Sequence, residues 1–395
     1  MKVCGLDVHK DSVFMCILDE NNQAIQKEFS TLTPDLEGMR ELLIETGVRE
    51  VAIESTGIYW MPIWRVLEKG NLKLKLVNPL FIKQLPGRKT DIKDAHWIAT
   101  VLQKDLIKGS YIPEKGIQQL RQYARRYVHL CENITRIEQE IDRQLHRCNI
   151  RITNYATKIG SISVMKVVKA IIEGETRANE LKKHIHGRIT NKYKEKIEAS
   201  LTGVINDSDR FILSQNFKDW QMLNKQQKEC IEQMENLCNK LYKEEVRLLM
   251  TIPGIQKLSA IMLIAEIGVD LKAFRTAKFL VGLAGLRPRN AQSAGKVKSR
   301  RTTNGNKYLR RILVQCSWAI TRMKTGFLKT KYETLCKRMS AKKALIAIAI
   351  KLLVIIWNVV LKKEEYIEFK PKIDETKRKK RILHLEKELA ELRTA

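Results

Sequence analysis

The spacing of apolar and polar positions changes character twice along the chain. From residue 1 to about 110, apolar runs of strand length alternate with segments of helical period. These are VCGLDV, VFMCILD, a turn at Glu20-Asn21-Asn22, AIQKEFS, a helix from about Pro34 to Glu45, EVAIES, a helix from Ile58 to Lys69, LKLKLV, and a helix through Asp94 to Leu106. Strand residues alternate between faces and helical apolar positions recur every three to four residues, so the order βββαβαβα is legible. From Ile117 the period becomes that of a heptad: Leu120, Tyr123, Tyr127, Leu130, Ile134, Ile137 and Ile141 lie three and four apart and predict a coiled-coil seam. A later run with Met234, Leu237, Leu241 and Leu248 is placed either to return antiparallel to it as an intramolecular hairpin or, with it, to serve dimerisation or the spanning of nucleic acid. The residues between, about 150 to 220, are helical in composition but weakly patterned.

One stretch, Ala344 to Leu361, is long and apolar enough to cross a membrane. Lys351 and Asn358 interrupt it, its flanks are basic on both sides, and the chain offers no second span, so it reads as a buried core helix and no membrane partner is expected. The final residues, KRKKRILHLEKELAELRTA, predict a basic patch and then a short amphipathic helix with Ile382, Leu385, Leu389 and Leu392 on one face. The expected divisions are an α/β domain over 1–112, a coiled-coil and helical linker over 113–248, a further helical domain over 249–330, and a helical C-terminal region over 331–395.

Charge narrows the class of partner. Lysine and arginine number 73 against 44 aspartate and glutamate, for a formal net charge of +29. So large an excess points to a polyanion, with nucleic acid ahead of a membrane surface. The eight cysteines, at 4, 16, 131, 148, 230, 238, 316 and 336, form no C-x-x-C pair and do not cluster with histidine, which argues against a zinc site and a disulfide framework. Reduced thiols in a cytoplasm fit best. The apolar start is short, contains Asp7 and His9, and lacks a small-residue cleavage site, so no secretory signal is expected.

Four carboxylates carry the candidate chemistry. Asp7 ends one apolar run, Glu54 ends another, and Asp91 and Asp94 lie three apart on a predicted helix, hence on one face. With the strand order above, this is the layout of an RNase H-like or RuvC-like tetrad. Such a set suits two Mg2+ ions, which take hard oxygen ligands and, roughly 4 Å apart, clamp the attacking and leaving oxygens of a phosphodiester. Lys89 and Lys93 flank the aspartates, placed to touch phosphate or to balance the acids. His9 and His96 read as ordinary surface or hydrogen-bonding histidines, and the pair His184 and His186 has no matching ligands nearby, which argues against a metal there.

Basic residues gather further on. Between Arg287 and Arg311 the chain has Arg287, Arg289, Lys296, Lys298, Arg300, Arg301, Lys307, Arg310 and Arg311 and no acidic residue, which favours phosphate contact over a merely solvated face. Before it, Thr251-Ile252-Pro253-Gly254-Ile255 between apolar helices looks like a helix-hairpin-helix turn. There Gly254 permits the bend and backbone N–H groups at the next helix start can hold a phosphate.

The segments GLDVHKDS, ESTGIYW, LVNPLFIKQLPGRKTDIKDAHWIA, IPGIQKLSAIMLIAEIG, LAGLRPRNAQSAGK and NGNKYLRRIL, in this order over nearly the whole chain, closely resemble the DEDD transposases of bacterial insertion sequences. This is the IS-one-ten family, whose relatives include the Piv DNA invertases. The resemblance implies a RuvC-like N-terminal domain, a long coiled coil, and a C-terminal transposase domain with a nucleophilic serine. By motif position that serine is Ser293; family members often have glycine directly after it, where this chain reads Ser293-Ala294-Gly295. Ser299 is the nearby alternative and fits the motif poorly. The resemblance further implies a homo-oligomer, donor and target DNA, and a structured noncoding guide RNA whose base pairing chooses the sequences while the protein reads backbone and shape.

The expected reaction is attack of Ser293 on a DNA phosphodiester to give a phosphoserine linkage, assisted by Mg2+ on Asp7, Glu54, Asp91 and Asp94 and by the charges of Arg287, Arg289 and Lys296. Serine and tetrad are far apart in sequence, so the site is expected to be composite, with its halves drawn from one subunit or from two. Two other functions use parts of the same inventory. A RuvC-type junction nuclease would keep the tetrad and use water, and a basic RNA-binding scaffold would need the charge and not the carboxylates.

Overall fold

The structure, a computed structural model, describes residues 2–55, 57–79, 91–289, 291–293, 296–299, 301–368, 382–386 and 389–392. It divides into two compact units, Met1–Pro113 and Glu114–Ala395.

The first unit is built on a five-stranded sheet. Its elements are β1 (Val3–Val8), β2 (Ser12–Leu18), β3 (Ala24–Ser30), α1 (Thr33–Glu45), β4 (Glu50–Glu54), α2 (Trp60–Leu67), β5 (Lys73–Val77) and α3 (Asp91–Gln103). The strands lie in the order β3-β2-β1-β4-β5. β1, β2 and β3 pair antiparallel, whereas β4 joins β1, and β5 joins β4, in parallel. Asp19 sets the first turn: its Oδ1 accepts the backbone N–H of Asn21 and of Gln23, and Asn22 takes φ +61, a conformation asparagine tolerates well.

β1 is central, and every one of its residues is buried because both faces of the sheet are covered. Cys4, Leu6, Val8, Val13, Met15, Ile17, Val51 and Ile53 face one way with Leu36, Met39 and Leu43 of α1 and Ile63 and Leu67 of α2. Val3, Cys16, Leu18, Ala52 and Val77 face the other way, against Ala95, Ile98, Ala99 and Leu102 of α3. Gly5 shares the α3 face, and a Cβ there would lie 2.4 Å from the Ala95 carbonyl oxygen and 2.4 Å from the Ala99 nitrogen. Glycine is therefore required for α3 to sit this close. The helix ends at Gln103, short of the predicted Leu106, because Asp105 turns the chain at φ +51 and Leu106 N donates back to Val101 O at 3.0 Å.

The second unit begins with α4 (Lys115–Arg147) and continues through α5 (Ile162–Ile172), α6 (Ala178–Lys182), α7 (Gly187–Leu201) and α8 (Asp207–Leu241). α4 and α8 pair antiparallel. Tyr242 Oη donates to Glu114 at 2.7 Å, Arg126 to Gln226 at 3.0 Å, Trp220 to Glu138 at 3.2 Å and Gln144 to Asp209 at 2.7 Å, so one number rises as its partner falls. The seam predicted from Ile117 onward thus closes within the chain, with Leu120, Leu130, Ile134, Ile137 and Ile141 buried. At its far end the weakly patterned segment supplies a small lobe of its own, where Val164, Val168, Ile171, Leu181, Ile197 and Leu201 bury against Ile141, Leu145 and Leu213.

At the near end follow α9 (Lys243–Met250), α10 (Lys257–Ile267), α11 (Ala277–Leu283), a hairpin of β6 (Ala291–Ser293) and β7 (Lys296–Ser299), α12 (Lys307–Thr321), α13 (Phe327–Cys336) and α14 (Ala341–Lys362). α14 is the membrane-length stretch, and it is a core helix as expected: Ala344, Ile348, Leu352 and Ile356 are fully buried among residues of α10, α11 and α12. The last described residues are helical, with Ile382, Leu385, Leu389 and Leu392 exposed.

Candidate functional site

Strand register gathers the acidic residues of the first unit. β1 and β4 run parallel with Leu6 opposite Ile53, and Asp7 and Glu54 are the next residue of each. Asp7 pairs across β2 with Phe14 and Glu54 pairs across β5 with Val77, both of which belong to the α3 side of the sheet. Strand alternation therefore puts both carboxylates on the face that α3 covers. Asp94 sits on α3 one residue before Ala95 and four before Ile98, both packed on that face, and is half-buried. Asp91 opens the same helix; its side chain, like Lys89, lies outside the described residues.

Asp7 is 5% exposed, and its Oδ2 lies 3.2 Å from His9 Nε2. His9 in turn meets the ring of Phe14 edge-on. The histidine thus holds one orientation of the carboxylate at the strand end. His96 contacts Thr100 of its own helix instead. Among the described residues no three His, Cys, Asp or Glu side chains are grouped tightly enough to hold an ion, so Asp7, Glu54 and Asp94 do not close a ligand set by themselves.

In the second unit the basic segment is a β-hairpin. Arg289 N donates to Arg301 O, Thr303 N donates to Arg287 O, and Pro288 bridges to Thr302. Ser293 ends β6 opposite Lys296, at the end of the ladder. Arg287, Arg289, Lys296, Lys298, Arg301 and Lys307 are exposed, and Arg300 lies outside the described residues. Arg310 is committed inward, donating to Gly285 O at 3.1 Å and Thr302 Oγ1 at 3.0 Å, while Arg311 pairs with Glu132 at 2.8 Å.

Two glycines fix the base of this hairpin. A Cβ on Gly305 would lie 2.3 Å from Gly285 N, and one on Gly285, whose φ is +64, would meet Gly305 N at 2.9 Å. Gly254, in the turn between α9 and α10, takes φ +83, and a Cβ there would meet Ile320 and the Cys316 carbonyl of α12. Its smallness is therefore explained by close approach to a helix as well as by the turn.

The residue that sequence reasoning missed is Glu266. It is 3% exposed and accepts from two guanidinium nitrogens of Arg125, Nε and Nη2, at 3.0 Å each. It also accepts from Asn306 Nδ2. Asn306 in turn caps α12, its Oδ1 accepting from Tyr308 N and Leu309 N. Arg125 lies 4.7 Å from the ring centroid of Tyr308, whose hydroxyl is 3.0 Å from His129 Nε2. The hydrogen bonds to Glu266 lift the Arg125 pKa above its ordinary value, against the effect of burial. The signal was present as a lone acid inside the apolar run IMLIAEIG, since a charge there has to find a partner.

Known proteins match this layout in both units. A family model described as a transposase matches residues 4–150, and one for the transposase IS116/IS110/IS902 family matches residues 246–333. The pilin gene-inverting protein of Moraxella bovis is 25% identical over 90% of this chain and 94% of its own length. The transposase for insertion sequence element IS1111A of Coxiella burnetii is 22% identical over 93% of this chain and 91% of its own. The five-stranded mixed sheet is consistent with the RNase H-like α/β domain that the first match implies. With both family segments present in order, this chain belongs to the IS110 family of transposases, enzymes of DNA recombination that cut and rejoin DNA.

Proposed function

We propose that the chain transposes an insertion sequence through a covalent phosphoserine intermediate formed by Ser293, with Asp7, Glu54, Asp91 and Asp94 as its metal-holding tetrad. The observation that carries this reading is the register of β1 against β4, which aligns Asp7 and Glu54 on the face covered by the helix of Asp94. The donor set consists of carboxylates, as Mg2+ prefers, and a closed site needs Asp91 in addition to the three acids described. When bound, two Mg2+ ions would supply Lewis-acid polarisation of the scissile phosphate.

The work of the chain's own residues is then defined. Ser293 Oγ forms an ester bond to phosphorus, the bridging P–O bond of the phosphodiester breaks, and the serine proton ends on the released strand oxygen. The ester keeps the energy of the broken bond, so a hydroxyl of another strand can reverse the step without ATP. Arg287, Arg289 and Lys296, all exposed, are suited to stabilise charge on the pentacoordinate phosphorus. His9 keeps Asp7 oriented. Lys298, Arg301, Lys307 and Arg311 add phosphate contacts, as do Lys89, Arg300 and the turn at Gly254.

The same reading includes donor and target DNA, a structured guide RNA, a dimer or tetramer, and action in the bacterial cytoplasm at the nucleoid. The excess of positive charge supports the polyanionic partners.

The test is a denaturing gel for covalent protein–DNA adduct. Protein is made beside its element's flanking sequence with Mg2+, and the parent is compared with Ser293→Ala and Asp91→Ala. The proposal expects adduct in the parent and in neither variant. Cleavage without adduct that survives Ser293→Ala would turn the reading into a water-using nuclease, and parental behaviour of Asp91→Ala would turn it into a scaffold.

A further inference from the structure

The basic character of the second unit extends past the hairpin. From residue 271 to 332 the chain has sixteen lysines and arginines and no aspartate or glutamate. α12 crosses this segment with a divided surface. Leu309, Ile312, Leu313, Cys316, Ser317 and Ile320 are buried, whereas Lys307, Arg311, Gln315, Trp318 and Arg322 are exposed. The exposed five are spaced four, four, three and four apart, so they form one ridge, about 22 Å long at 1.5 Å per residue.

Trp318 is the anomaly on that ridge. An indole 46% exposed sits among cations and a glutamine, with the Arg322 guanidinium 5.7 Å from its ring centroid. A ridge meant only for duplex phosphates needs cations and gains nothing from an indole. A flat aromatic flanked by cations is what a strand with unstacked bases requires: the cations follow the backbone and the ring receives a base. Arg311 already leans on Glu132 at 2.8 Å, an exposed pair that can give way to phosphate at little cost. The ridge is also held in place, because Asn306 both caps α12 and bonds to the buried Glu266.

We propose that the outward ridge of α12 binds an unpaired nucleic-acid strand, with Trp318 as the platform on which one base stacks and Lys307, Arg311 and Arg322 as its phosphate contacts. The proposal rests on the recombinase reading for the class of polymer, and deepens it by naming the strand state. DNA opened at a recombination site and the loops of a structured RNA present the same chemistry, so both are probed.

The experiment is fluorescence anisotropy of the full chain at fixed salt with labelled oligo-dT, oligo-rU and a DNA duplex of equal length, for the parent, Trp318→Ala and Trp318→Phe. We expect Trp318→Ala to weaken binding of oligo-dT, oligo-rU or both by between about fivefold and a hundredfold. Duplex binding should stay within about twofold, and Trp318→Phe should recover most of the loss. Unchanged single-strand binding, an equal loss on duplex, or a phenylalanine variant as weak as alanine would each overturn the proposal. Thermal melting of the variants confirms that the fold is intact, as expected for an exposed side chain. Adduct formation by Ser293 is read separately, so a failed stacking platform leaves the phosphoserine reading untouched, and the reverse also holds.

Discussion

Arg125 of α4 grips Glu266 of α10 through two parallel N–H···O bonds of 3.0 Å, and the glutamate is 3% exposed. A bidentate pair of this kind is both directional and costly to break from one side, since the charge left behind stays buried. Arg125→Met, which leaves the buried Glu266 carboxylate without its bidentate partner, should lower unfolding free energy by about 3 kcal/mol. Arg125→Met combined with Glu266→Leu should recover much of that loss. Urea midpoints for the single and double variants check both statements; a single variant as stable as the parent would remove the pair from the account.

Gly5→Ala should be far more damaging than a surface glycine change such as Gly38→Ala. At Gly5 the added carbon meets the backbone of Ala95 and Ala99, which cannot swing aside, while at Gly38 nothing lies within 4 Å. Overpacking costs about 1–3 kcal/mol and would push α3, and Asp94 with it, from the end of β1. A melting curve for each variant, together with a DNA-cleavage assay, should show loss of both stability and cleavage for Gly5→Ala alone.

Exposed arginines of the hairpin should be visible in the salt dependence of DNA binding. Each phosphate neutralised contributes about −0.9 to the slope of log K against log salt. Replacing Arg287 and Arg289 with glutamine should make the slope shallower by about 2 units if each meets one phosphate. Arg310→Gln, which breaks bonds to Gly285 and Thr302, should act chiefly through stability instead.

Thiol chemistry offers an independent check of burial. Burial pushes Cys238 up to about 12, and burial reinforced by Asp209 pushes Cys148 up to about 11. Both are protonated at pH 8, as are the buried Cys4 and Cys316, whose pKa values are raised by the same desolvation. Cys336 is exposed. Labelling the native protein with an aromatic disulfide reagent should modify Cys336 first and leave these four unreacted until denaturant is added.

Leu352→Ala in α14 should cost about 2–5 kcal/mol, as for a fully buried leucine. Lys351→Gln, on the exposed side of the same helix, should be neutral. Chemical denaturation would register the contrast, which a helix lying in lipid would not produce.

Much of this architecture was legible without coordinates because periodicity reports burial directly. The βββαβαβα order, the paired long helices and the buried nature of α14 all follow from which residues avoid water. Asp7 and Glu54 stood out because each carboxylate ends an apolar strand. Glu266 did not, because its partners Arg125 and Asn306 lie 141 and 40 positions away and no local pattern couples residues at such distances. The lobe over α5–α7 escaped for a related reason: its short helices bury against the far end of the hairpin, so each carries only part of a stripe.

The sequence by itself determined the order of the elements, the polyanionic class of partner and the chemical type of the candidate acids and serine, because period, charge and functional group are properties of residues and their neighbours. Only the tertiary structure decided that Asp7 and Glu54 share the face of α3, that Arg310 turns inward while Arg287 and Arg289 face solvent, and that Trp318 stands on an exposed ridge. Each of those facts depends on a strand register or a packed face, and both are set by contacts between residues distant along the chain.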